Sequence, residues 1–84
     1  MGSIEPRVRK FLQTTFPGMR VHLETLPSGR VTGTVIWDGF VNDDQVARQA
    51  RIRTALKNEF DAQVQEISVL LTYTPDEIQE MTAV

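Results

Sequence analysis

The feature that most narrows the possible folds is the stretch from Phe40 to Ile78, FVNDDQVARQARIRTALKNEFDAQVQEISVLLTYTPDEI, nearly half of an 84-residue chain. It reads as a long amphipathic helix, then a strand, then a capped terminal helix. At about 100° per residue, Ile52, Leu56 and Phe60 fall on one helical stripe, flanked by Ala55 and Val46. Toward the helix start the same stripe continues as Gln45 and Gln49, not as apolar residues. Asn42 or Asp43 suits the helix cap, and the acids there suit its positive end. Asp61-Ala62-Gln63 makes a turn, and from Val64 to Tyr73 the period becomes two. Ile67, Val69, Leu71 and Tyr73 share one strand face; Glu66, Ser68, Leu70 and Thr72 share the other. In Thr74-Pro75-Asp76-Glu77, Thr74 caps a last helix, Pro75 takes its first position and Glu77 completes a capping box. Ile78 and Met81 are then placed to dock it.

The preceding half supplies the other layers. Ile4, Val8, Phe11, Leu12 and Phe16 recur at spacings of three and four, one face of a first helix that Ser3 can cap and Pro17-Gly18 ends. Met19, Val21 and Leu23 alternate with Arg20, His22 and Glu24 in a first strand. The turn residues Leu26-Pro27-Ser28-Gly29 lead into a second strand from Arg30 to about Trp37, making a β-hairpin. Val31, Val35 and Trp37 share a face with Gly33, which suggests that a helix approaches closely there. A strand, a helix and a strand in succession favour a parallel crossover, placing the third strand beside the second. The order is αββαβα: an α+β chain with a three-stranded mixed sheet and helices packed on one face. Its length suits a single domain over residues 1–84.

Composition excludes several kinds of chemistry. Without cysteine there is no disulfide, thiolate ligand or thiol nucleophile. A net charge of −2 argues against nucleic-acid binding through overall charge, leaving a local basic face as the only route. The first residues, MGSIEPRVRK, lack the apolar run of a signal peptide, and Pro6 stands where a myristoylation motif takes Ser or Thr. No run reaches the length of a membrane span, so a cytoplasmic protein is expected. The single histidine, His22, has only Glu24 beside it on the polar strand face, too few ligands for a metal. Asp43 and Asp44 are adjacent, which suits a helix cap better than opposed acid–base work. No Walker loop, G-x-G-x-x-G or G-x-S-x-G occurs, so an enzyme is not expected.

Four cations, Arg48, Arg51, Arg53 and Lys57, lie on the long helix, on both flanks of its apolar stripe. They read as a solvated exterior; as a group they are also the candidates for contacting nucleic acid. A polar sheet face of Arg20, His22, Thr32, Thr34, Ser68 and Thr72 lacks the aromatics on which RNA bases stack, yet could accept a protein.

The motifs together resemble the BolA family. That family's pattern has a phenylalanine after the second strand, an Arg-His-Arg segment on the long helix and an Ala-Leu pair two turns later. A Val-His-Ala-Leu start to the third strand follows, then a Thr-Pro-x-Glu helix start. Here the same spacings read Phe40, Arg48-Gln49-Ala50, Ala55-Leu56, Val64-Gln65-Glu66-Ile67 and Thr74-Pro75-Asp76-Glu77. The resemblance implies the BolA fold, related to the class II KH fold, with its three-stranded mixed sheet and helices on one side. It also implies an adaptor role: family members bind monothiol glutaredoxins and share a [2Fe–2S] cluster with them, and some are linked to transcription through DNA.

The departures fall on the ligands. Gln49 and Gln65 stand where the resemblance implies histidines, and the Leu26-Pro27-Ser28-Gly29 turn holds neither the histidine nor the cysteine of the family's longer loop. A neutral amide oxygen suits an iron–sulfur cluster poorly, so no cofactor is expected. Two readings stay open. One is an adaptor for a protein partner, with Arg48, Gln49, Arg51 and Gln65 as contact candidates. The other is a KH-like nucleic-acid binder, though the turn is not the G-x-x-G loop that clamps a backbone.

Overall fold

The computed structural model describes residues 3–82; Met1–Gly2 and Ala83–Val84 lie outside the described residues. The elements are α1 (Glu5–Thr15), β1 (Arg20–Thr25), β2 (Val31–Ile36), α2 (Gln45–Phe60), β3 (Ile67–Tyr73) and α3 (Pro75–Thr82). Short 3-10 turns occupy Asp38–Phe40 and Asp61–Glu66. The sheet order is β1-β2-β3, with β1 antiparallel and β3 parallel to the central β2, which is the expected mixed sheet. Ile4, Val8, Leu12 and Phe16 of the first helical stripe are buried with Val21, Val31, Val35, Ile52, Leu56 and Phe60 in one cluster. The core therefore lies between the sheet and α1 and α2, as the periodicities require.

Several local expectations change. Ser3 is not the cap of α1; Ile4 holds that position, and the Glu5 amide donates to Ser3 Oγ at 3.0 Å. The cap of α2 is Asp44, not Asn42 or Asp43: its Oδ1 accepts from the Ala47 amide at 2.8 Å. Val46, next along, is exposed and does not flank the core stripe. At Gly33 the close neighbour is not a helix. A Cβ there would collide with the carbonyl oxygen of His22, so the β1 backbone is what excludes a side chain.

The largest correction concerns β3. Val64, Gln65 and Glu66 belong to the 3-10 turn, so the strand begins only at Ile67. Val31 pairs with Ile67 and Gly33 with Leu70, so one residue of β2 faces two of β3, a β-bulge at Ser68–Val69. The extra residue inverts the alternation beyond it. Ile67 packs on the core as expected, but after the bulge Leu70 and Thr72 face the helices. Thr72 is 2% exposed and leaves the polar sheet face to which its period assigned it, while Val69 and Leu71 are 58% and 47% exposed.

The capping box of α3 forms as its sequence predicts. The Thr74 amide donates to Glu77 Oε1 at 2.9 Å and the Glu77 amide to Thr74 Oγ1 at 3.2 Å. Ile78 is half-buried, but Met81 is exposed, so α3 is held at its first turn and not along its length.

Candidate functional site

The site grows out of the two glutamines that interrupt the apolar stripe of α2. As β3 is an edge strand, alternate carbonyls point away from its one neighbour. Those of Leu70 and Thr72 do so, and side chains from α2 reach them. Gln49 Nε2 donates to Leu70 O at 2.8 Å, and Gln45 Nε2 to Thr72 O at 3.1 Å. The Thr72 hydroxyl donates to Gln45 Oε1 at 2.7 Å and accepts from Gln49 Nε2 at 3.4 Å. Buried polar groups of this kind cost stability unless paired. Polar residues at these stripe positions follow from that need.

Between them Arg48 turns inward. Only 4% exposed, it is not the solvated exterior residue its sequence position suggests. Its guanidinium donates to both Glu77 carboxylate oxygens, Nη1 to Oε1 at 2.7 Å and Nη2 to Oε2 at 3.1 Å. Nε donates to Asp43 O at 2.9 Å, and the group lies 5.6 Å from the Phe40 ring centroid. The paired charge raises the pKa of Arg48, chiefly through the hydrogen bond to Glu77. The same bond, and next the Thr74 amide, pull Glu77 from an ordinary 4.5 down to about 2. Arg51 is engaged too. It donates to Asp43 Oδ2 at 3.0 Å and lies over the Trp37 ring at 5.4 Å. Neither arginine is left as an unengaged surface charge.

One turn further the arrangement opens. A cavity of about 400 Å³ lies between α2, the Asp61–Glu66 turn and the start of β3. Ile52, Leu56, Val64, Ile67 and Leu70 form its floor, and Gln49, Arg53, Lys57, Gln65 and Ser68 its rim. Of the expected site residues, the structure therefore brings Gln49, Gln65, Arg53 and Lys57 around one opening and withdraws Arg48 and Arg51 from it. Ser68 was missed as a rim residue: the bulge aims it there, and nothing in the local sequence marks the bulge. His22 lies on exposed β1, paired in register with Thr34 and far in topology from this edge.

The donor set decides which groups the cavity can hold. Among the described residues no three His, Cys, Asp or Glu side chains converge as a metal site. Gln49 already spends its amide nitrogen on β3, and Gln65 offers only another amide. Amides, a hydroxyl and two cations do not fit an iron–sulfur cluster, which takes thiolate and imidazole. Apolar surface ringed by hydrogen-bonding groups and cations instead suits a partner or ligand with an apolar part and a negative end.

No family model matches the chain, and neither does any curated protein. Solved structures do. The fold superposes on BolA1 from Arabidopsis thaliana with a TM-score of 0.75 at 18% identity, covering 92% of this chain and 98% of that one. It superposes on the BolA domain of SufE1 from the same plant with a TM-score of 0.74 at 19% identity and the same coverage. No helix among the described residues is long and apolar enough to cross a membrane. Element order, the mixed sheet with its parallel β2–β3 pair and superposition over nearly the whole length agree: the chain has the BolA-like α+β fold.

Proposed function

We propose that this chain is a non-enzymatic BolA-like adaptor that docks a protein partner at the opening between α2 and β3, without ligating a cluster through its own side chains. The partner that the family resemblance implies is a monothiol glutaredoxin. The observation that carries the reading is the cavity rim. Gln49 and Gln65, the two positions where the resemblance implies histidines, line the same opening, with an apolar floor beneath them and no metal-binding donor set. The contact residues on this reading are Gln49 and Gln65, joined by Arg53, Lys57 and Ser68.

The test is to titrate the chain into an apo monothiol glutaredoxin by calorimetry, then to add iron and sulfide and follow the visible spectrum. A heterocomplex whose spectrum matches that of the glutaredoxin alone is expected. Absence of any complex overturns the adaptor reading; a new band in the heterocomplex overturns the absence of ligation. The double change Gln49→His with Gln65→His should create such a band, because imidazole replaces amide. Nucleic-acid binding is the weaker reading, since Arg48 and Arg51 are held by Glu77 and Asp43, leaving two of the four expected cations. A steep fall of DNA or RNA affinity with rising salt would restore it.

A further inference from the structure

Among the described residues three cations are committed to carboxylates: Arg9 to Glu5, Arg48 to Glu77 and Arg51 to Asp43. Arg53 and Lys57 make no ion pair among the described residues, yet they stand one helical turn apart, at a spacing where like charges repel. Gln49, Arg53 and Lys57 follow at intervals of four and so form one ridge along the cavity. No acid among the described residues lines this cavity, whereas another cavity, near Phe11, is lined by Glu59 as well as Arg7 and Lys10. The local charge is thus positive in a chain whose net charge is −2. Gln49 Nε2 is bonded to β3, while its Oε1 accepts nothing among the described residues. Ser68, turned in by the bulge, adds a hydroxyl.

We infer that the cavity is a binding site for a carboxylate carried on a short apolar chain. The tail lies on Ile52, Leu56 and Ile67, and the carboxylate meets Arg53 and Lys57. A volume of about 400 Å³ is within the range of small-ligand pockets. Two sources share this chemistry: a free aliphatic acid, and the C-terminal carboxylate of a partner that ends in an apolar residue. The inference rests on the adaptor reading only for its location.

The experiment is an amide-resolved NMR titration of the full chain with hexanoate, hexanol, acetate, and a short peptide ending in leucine as the free acid or the amide. Hexanoate should shift the amides around Gln49, Gln65 and Ser68 and saturate. Hexanol, which lacks the charge, and acetate, which lacks the tail, should bind about tenfold more weakly, a difference of about 1.4 kcal/mol. Arg53 and Lys57 are exposed, so the double change Arg53→Gln with Lys57→Gln should leave the fold intact and cut hexanoate binding by about tenfold. A free-acid peptide that binds more tightly than hexanoate and loses binding on amidation assigns the site to a partner's terminus. Hexanoate binding with no response to the peptide assigns it to a free acid. Hexanol binding as well as hexanoate, an unaffected double variant, or no saturation by either acid overturns the inference. Loss of the glutaredoxin complex with hexanoate binding retained would overturn only the adaptor reading.

Discussion

The two halves of α2 hold the same sheet by different means. The first half, Gln45 to Gln49, meets a strand edge whose carbonyls need donors, and it supplies them with two amides and a guanidinium. The second half turns Ile52 and Leu56 toward the 3-10 turn and the start of β3, and sets Phe60 against Phe11 of α1, ring centroids 5.8 Å apart. Hydrogen bonds are directional, so the polar half fixes the register of helix against strand. Apolar burial is not directional but is the larger source of stability. The polar half carries the directional bonds, and the cavity opens alongside the apolar half.

The comparison can be broken from its apolar side first. Leu56→Ala should destabilise the fold by about 2–5 kcal/mol, the largest effect here, read by urea unfolding. Arg48→Met keeps the apolar stem and removes the charged hydrogen bonds, and should cost roughly 1.5–3 kcal/mol in the same assay. A loss as large as that of Leu56→Ala would mean that the polar half carries energy as well as register.

The ion pair also predicts a pH dependence. Glu77 titrates near 2 in the folded chain against an ordinary 4.5, so the folded state favours its charged form. Its stabilisation is complete above about 4.5 and is lost as pH falls from there toward 2. Unfolding curves of the parent and Glu77→Gln should therefore differ by a constant amount at neutral pH and converge through that window. Failure to converge would show that Glu77 acts through something other than its charge. Gln45→Ala should cost about 1 kcal/mol by leaving Thr72 short of partners. Smallest of all, Arg53→Gln should change stability by no more than about 0.5 kcal/mol, since the exposed side chain holds nothing in place.

Much of this architecture was legible from period and punctuation. The stripe through Ile4, Val8 and Leu12, the turn at Gly29 and the box from Thr74 to Glu77 all depend on neighbours within one or two turns. The bulge at Ser68–Val69 was not, because it depends on how β3 lies against β2 and carries no glycine as a marker. Its consequence, the exchange of faces by Thr72 and Leu71, could not be read from alternation alone. Arg48 was misread for a related reason: its partner Glu77 lies 29 residues away, beyond any helical wheel. For Gln45 and Gln49 the anomaly was visible, but its cause lay in the strand edge. The rim was half visible, since Gln49 and Gln65 stood out through the resemblance, whereas the separation of Arg53 and Lys57 from Arg48 and Arg51 needed three dimensions.

The amides that α2 lends to β3 also limit self-association. A sheet margin with unclaimed carbonyls is a template on which a second chain can add a strand, the first step toward swapped dimers and fibres. On β3 the acceptors at Leu70 and Thr72 are already claimed by the chain's own helix. Strand addition at that margin would first have to displace Gln45 and Gln49, and on the opposite margin the Val21 carbonyl of β1 is likewise claimed, by Arg9 Nη1 at 2.7 Å.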